Sequence, residues 1–173
     1  MLLYISEKFI EKNDIIWDIG ANVGLFSFTS IIKSSTGKCL SFEPDIWLCN
    51  LLRKSANQNP DLDVQILPLA VSEEIGFVTF NIANRSRATN FISKATGSSQ
   101  TGGTRTSYIV PTVTLNHVLK FNDAPQFIKI DTEGAELLIL RGALDVLVHK
   151  PKILCEVSNE TFGPVVDILN NFK

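Results

Sequence analysis

The segment Asp18-Ile19-Gly20-Ala21-Asn22-Val23-Gly24 closes an apolar run with an acid and then supplies two glycines within a few residues. Such a stretch lets a chain turn sharply out of a strand and into a helix while a ligand lies against bare backbone. The dinucleotide pattern GxGxxG is not met, because Asp18 stands at its first glycine position. A carboxylate there repels a pyrophosphate in a partly desolvated site and attracts a cation. S-adenosylmethionine fits that preference, with an ammonium, a sulfonium and no phosphate. Asp18 is expected to hold its amino-acid end directly or through water, and the backbone at Gly20 and Ala21 to meet its carboxylate. Asn22 and Gly24 complete the loop.

Glu43 follows 25 residues after Asp18, at the end of a second apolar run. In doubly wound sheets an acid at that place accepts from both ribose hydroxyls. Pro44 beside it is placed to pack on an adenine face, and the backbone near Ala70, at the end of a third run, is expected to border the adenine. A second acidic set, Asp131, Glu133 and Glu136, follows Phe127-Ile128-Lys129-Ile130 and opens a helical pattern. Acids in a first helical turn also complement the helix dipole, and Glu136 is as well explained that way. Asp131 and Glu133 are expected at the crevice where open α/β sheets bind ligands, one as general base toward a hydroxyl or as a group that positions the acceptor.

The elements that must carry these residues are short, nearly continuous apolar runs separated by longer stretches of helical period. Strands buried on both faces by crossover helices have this pattern, which predicts a parallel α/β fold. Strands are expected at Ile15 to Ile19, Lys38 to Phe42, Val64 to Leu67, Phe77 to Ile82, Tyr108 to Val113, Phe127 to Ile130 and Lys152 to Val157. Helices are expected at Val23 to Ile32, with Val23, Phe26 and Ile31 inward, and at Asp45 to Asn57, with Ile46, Leu48, Leu51 and Leu52 buried. Further helices are expected near Leu115 to Leu119, over Glu133 to Leu147, and from Gly163-Pro164 to the end. Residues 83–107, rich in Ser, Thr, Asn and Gly, read as a long loop, and 85–107 as a mobile segment facing the acceptor. Residues 1–173 read as one domain with its core at 15–157.

The chain has 173 residues, 45% of them hydrophobic and 20% charged, with a net charge of -2. Bulk electrostatics therefore recruits neither nucleic acid nor an anionic membrane. Cys39, Cys49 and Cys155 lack CxxC spacing and read as reduced thiols, and His117 and His149 have no ligand-like neighbours, so no metal site is expected. The start of the chain lacks the features of a signal peptide, and no apolar run approaches the length of a membrane span, so a cytoplasmic protein is expected.

Taken together, Trp17 to Gly24, Phe42-Glu43-Pro44-Asp45, Val110-Pro111-Thr112-Val113-Thr114-Leu115, Ile128 to Glu136 and Leu140-Arg141-Gly142-Ala143 resemble the FkbM family of S-adenosylmethionine-dependent methyltransferases. The resemblance implies the class I methyltransferase fold, Rossmann-like and doubly wound, and O-methylation of a hydroxyl on a sugar or natural-product-like small molecule. Asp18, Gly20, Asn22 and Glu43 match its cofactor positions, and Asp131 and Glu133 its acidic motif at the fourth strand. The fold usually ends in an antiparallel edge hairpin for which no residues remain after Val157. Either the chain is naturally short or truncated there, or a second copy or a partner chain completes the edge at Lys152 to Val157. The other reading is a truncated or non-catalytic module that binds S-adenosylmethionine or a partner. A nicotinamide-dependent dehydrogenase rests on shared architecture alone, and Asp18 argues against it.

Overall fold

In the computed structural model, which describes residues 1–84, 90–93 and 103–172, the elements in chain order are α1 (Leu2–Phe9), β1 (Ile15–Ile19), α2 (Leu25–Ser34), β2 (Lys38–Phe42), α3 (Ile46–Gln58), β3 (Val64–Leu67), β4 (Ala70–Val71), β5 (Gly76–Ala83), β6 (Phe91–Ile92), β7 (Thr104–Val113), α4 (Leu115–Leu119), β8 (Phe127–Ile130), α5 (Glu136–Arg141), α6 (Leu144–Leu147), β9 (Lys152–Cys155) and α7 (Asn159–Asn170). They fall into two compact units. The first holds Met1–Pro68, Asp123–Ile130 and Pro151–Leu154, and the second Leu69–Asn122, Asp131–Lys150 and Cys155–Lys173.

The first unit is built on a five-stranded sheet in the order β3-β2-β1-β8-β9. Its β3-β2, β2-β1 and β1-β8 pairs are all parallel, the arrangement that crossover helices impose on successive strands. This is the strand order of a doubly wound Rossmann-like sheet. Side chains alternate across a strand, so the register decides which residues share a face. Ile16 pairs with Cys39 and with Phe127, and these join Ile10, Phe26, Ile31 and Val64 in one buried cluster. Two residues further along, Asp18 pairs with Ser41 on one side and Lys129 on the other, on the same face. Trp17 and Ile19 point to the opposite face and are equally buried, Trp17 meeting Phe42 edge-on at 6.2 Å. Burial on both faces accounts for the run Ile15 to Ile19, apolar except for Asp18.

The second unit carries a four-stranded sheet in the order β4-β7-β5-β6. β4 runs parallel to β7, and β5 runs antiparallel to both β7 and β6. Val78, Phe80 and Ile82 alternate inward along β5.

Several boundaries differ from the sequence pattern. The helix expected from Val23 begins at Leu25, because Gly24 takes a left-handed conformation, and Val23 is half exposed. In α3 the Asp45 side chain caps Trp47 N at 2.9 Å, so Ile46 falls on the outer side while Leu48, Cys49 and Leu52 are buried. The long loop is shorter than expected. β7 starts at Thr104, pairing Ala83 with Thr104 and Asn81 with Ser107, and β6 adds a further strand. Residues 85–89 and 94–102 of the expected mobile segment, with Arg85 and Arg87, lie outside the described residues, while Arg105 is exposed on β7. The single helix expected over Glu133 to Leu147 is two short ones, parted at Gly142-Ala143, with Leu144 facing out. The last strand ends at Cys155. The last helix starts at Asn159, where Ser158 and Thr161 form a reciprocal capping box, and Pro164 lies inside it. That cap saturates free N–H groups earlier than proline punctuation suggests.

Gly142 has no strained φ, so its need for glycine is spatial. A Cβ there would collide with the backbone carbonyl of Ser72. Gly142→Ala is therefore expected to destabilise the fold by about 1–3 kcal/mol, the usual cost of overpacking against an element that cannot give. Urea titration of the two proteins measures it, and an unchanged midpoint would contradict this packing.

Candidate functional site

β1 ends at Ile19, and three of the next five residues are left-handed: Gly20 at φ 75°, Asn22 at 54° and Gly24 at 87°. Glycine enters this region freely, and asparagine is among the few other residues that tolerate it. The turn is tied down bond by bond. Gly20 N and Ala21 N both donate to Phe42 O, at 3.0 Å each, and Gly24 N donates to Ala21 O at 2.9 Å. Asn22 N donates to Glu43 Oε2 and Asp45 N to Glu43 Oε1, each at 2.8 Å. Glu43 thereby fastens the loop after β1 to the end of β2. Each of its oxygens has a second lone pair beyond these bonds. Pro44 beside it is partly buried.

Asp18 has no exposed surface. Its Oδ1 accepts from Lys129 Nζ at 3.1 Å and its Oδ2 from Ser27 Oγ at 2.6 Å. Lys129 Nζ also donates to Gly20 O at 3.0 Å, and Ser41 Oγ donates to Ser27 Oγ at 2.9 Å. The acid expected to meet a ligand cation is thus neutralised by a buried lysine of the neighbouring strand. The N–H groups of Gly20 and Ala21, expected to meet a carboxylate, are likewise taken by Phe42. Burial is the main force on Glu43. It lifts the carboxyl to about 7 against the two backbone N–H bonds, which lower it, while Asp45 and Asp18 raise it further.

In the second unit Asp131 and Glu133 lie beside Glu136 and Glu156. Glu136 is buried, and its Oε1 accepts from Thr132 N at 3.3 Å, Thr132 Oγ1 at 3.1 Å and Gly134 N at 3.0 Å. These bonds hold a turn in which Glu133 (φ 53°) and Gly134 (φ 103°) are both left-handed. A non-glycine residue in that region is strained, and such strain gathers at functional sites. Burial, then the charges of Asp131 and Glu136, raise the Glu133 carboxyl above its ordinary value. Glu156 hydrogen-bonds Asp131, and that bond, the Asp131 charge and burial lift it to about 7. The proton Glu156 holds in that bond reduces the repulsion between the two like charges. Ala70 forms the start of β4, pairing with Thr112.

Lys129, Ser27, Ser41 and Glu156 had no functional assignment from sequence. Lys129 carried a signal, since a lysine inside the apolar run Phe127 to Ile130 needs a buried partner. Ser27, Ser41 and Glu156 carried none, because their partners come from other elements.

Glu43 yields a pH dependence. Between its ordinary value of 4.5 and its folded value of about 7, the carboxyl binds its proton more firmly in the folded chain. Its contribution therefore favours the fold at the acid end of that window and is lost as pH rises through it. Denaturation across this range is expected to show a weaker decline in Glu43→Gln than in the parent. Parallel curves would refute the assigned burial.

Comparison with known proteins bears on these two sets of residues. A family model described as the methyltransferase FkbM domain matches residues 18–173. The hexuronic acid methyltransferase AglP of Haloferax volcanii is 23% identical over 151 residues, which cover 85% of this chain and 57% of that protein. The chain thus spans little more than half the length of this relative. The precorrin-6y C5,15-methyltransferase structure from Geobacter metallireducens superposes with a TM-score of 0.55 at 14% identity, over 99% of this chain and 67% of that one. A SAM-dependent O-methyltransferase from Thermotoga maritima gives 0.53 at 11% identity, over 98% of this chain and 48% of that one. These likenesses establish the class I methyltransferase fold, and the family match, which starts at Asp18 itself, makes this chain a member of the FkbM methyltransferase domain family.

Proposed function

We propose that the chain binds S-adenosylmethionine through the loop Gly20 to Gly24 with Glu43 and Pro44, and transfers its methyl group to a hydroxyl of a sugar-like small molecule. The observation that carries this reading is the loop itself, turned by left-handed Gly20, Asn22 and Gly24 and fastened to the Glu43 carboxylate. The cofactor's needs fit these residues: backbone without a Cβ at Gly20, and remaining lone pairs on a buried carboxylate for two ribose hydroxyls. Bound there, S-adenosylmethionine would supply a methyl group on a positively charged sulfur. Pro44 is assigned the adenine face. Ala70, a member of β4, is kept as an adenine-side assignment from sequence alone.

Asp131 and Glu133 are assigned to the acceptor. One of these carboxylates would take the hydroxyl proton as the acceptor oxygen receives the methyl group that the bound cofactor would supply, its sulfur keeping the electrons of the broken bond. A carboxyl raised toward neutrality, as Glu133 is, is suited to that transfer. A hydroxyl-bearing sugar acceptor is supported by the name of the Haloferax relative, a hexuronic acid methyltransferase. Among the described residues no three His, Cys, Asp or Glu side chains are grouped to hold a metal ion, and no helix is long and apolar enough to cross a membrane. We assign the protein to the cytoplasm on its three free thiols, which suit a reducing compartment. Reading residues 1–173 as one domain belongs to the same proposal, since each compact unit is assembled from several separated chain segments.

Calorimetry with S-adenosylhomocysteine tests the binding half. The parent protein is expected to bind, and Glu43→Gln to bind about 10- to 100-fold more weakly, the worth of hydrogen bonds to a charged acceptor. Absence of binding to folded parent protein would defeat the reading. For the chemistry, Asp131→Asn and Glu133→Gln are assayed by methyl transfer to hexuronic acid-bearing glycans. At least one is expected to lose about 10²- to 10⁴-fold in turnover while its affinity for S-adenosylhomocysteine stays unchanged. Binding by the parent without transfer to any hydroxyl acceptor would instead favour a non-catalytic binding module.

A further inference from the structure

Lys129 is buried in the middle of an apolar strand, with only 3% of its surface exposed. Placing an ammonium there is costly unless its protons find acceptors and a negative charge lies close. Its neighbours supply both. The register of β1 and β8 sets Lys129 directly beside Asp18, and Nζ donates to Asp18 Oδ1 at 3.1 Å and to Gly20 O at 3.0 Å. The second contact is the informative one. Neutralising Asp18 needs no bond to the loop, yet Nζ reaches past the carboxylate to the first peptide carbonyl beyond β1.

Gly20 is the residue at which the chain turns, at φ 75°. With its carbonyl held by Lys129 and the N–H groups of Gly20 and Ala21 held by Phe42 O, the peptide plane between Gly20 and Ala21 is fixed from both sides. A glycine has no side chain to restrict it, so an unheld peptide here would sample several orientations. The direction of that plane determines where Asn22 N emerges, and Asn22 N is the group that engages Glu43 Oε2.

We propose that Lys129 is a positioning residue for the cofactor loop, acting on Gly20 through its carbonyl, and that Asp18 serves as the buried counter-charge of Lys129 and makes no contact with the ligand. The proposal rests on the reading of Gly20 to Gly24 as the S-adenosylmethionine loop. It reverses the role that residue type alone suggests for Asp18. It also differs from a purely structural ion pair, because stability and loop geometry are carried by separate bonds of one ammonium.

Two variants separate these bonds. Lys129→Met leaves both a buried carboxylate and the Gly20 carbonyl without their donor. The double variant Asp18→Asn with Lys129→Met removes the unpaired charge but still leaves the carbonyl unheld. Each is measured by thermal melting, by calorimetry with S-adenosylhomocysteine, and by amide hydrogen exchange at Gly20, Ala21 and Asn22 without ligand. The double variant is expected to regain melting temperature lost in Lys129→Met yet to bind at least tenfold more weakly than the parent, with faster exchange at those three amides and unchanged exchange in α2. If Lys129→Met does not fold, Lys129→Leu, which likewise carries no donor, replaces it in both proteins, with the same expected outcomes. A folded double variant with parental affinity and parental exchange would overturn the proposal. A parent protein that binds no S-adenosylhomocysteine fails the underlying reading instead, and the exchange measurement then still decides whether Lys129 holds the loop.

Discussion

The ion pair between Lys129 and Asp18 is the constraint on which the ordered part of the first unit turns. It joins two adjacent central strands of the sheet at one register position and reaches the loop that follows. A buried pair adds little net stability over well-packed apolar residues. Removing one partner, however, strands the other charge at a cost of about 3–5 kcal/mol. Its physical effect is therefore specificity of arrangement. A one-residue slip of β8 against β1 would turn Lys129 to the opposite face, where Trp17 and Ile19 are packed, and leave Asp18 unpaired.

That arrangement is extended by neutral hydroxyls. Ser27 of α2 and Ser41 of β2 continue the line of hydrogen bonds from Asp18, so the carboxylate is satisfied from a strand, a helix and, at one remove, a second strand. Cys39 lies next along the same face with its thiol 3.7 Å from Ser41 Oγ, and burial chiefly pushes that thiol up to about 12. It is an inert packing group. The polar row ends where the apolar cluster of Ile16, Phe26, Ile31 and Phe127 begins. One sheet face thus changes from core to functional support within two residues.

The acids of the second unit follow a different principle. Glu136 spends one oxygen on three donors of its own turn and keeps Glu133 in a left-handed conformation. Asp131 and Glu156 share a hydrogen bond between carboxyls. In the first unit a carboxylate is compensated by a lysine; here carboxyls are compensated by backbone N–H groups and by protons. Burial and neighbouring charges make Glu133 hold its proton more firmly than a free carboxyl does, and with the Asp131 hydrogen bond they lift Glu156 to about 7.

The sequence by itself determined the order of strands and helices in the first unit, because both faces of the central strands are buried and their runs are mostly apolar. It also determined where the chain must turn through glycine and where acids follow strands, since those properties depend on residue type and near neighbours. It placed the ends of helices less well. The glycine at the α5–α6 break meets the Ser72 carbonyl from a distant segment, and the outward turn of Val23 and Ile46 depends on which residue caps each helix. Only the tertiary structure decided which partners each acid meets. Asp18 meets Lys129, distant in the chain, only once β1 and β8 are paired, and Glu156 meets Asp131 only through folding. A carboxylate's role is set by the charges and donors within a few ångströms, and those are assembled by folding.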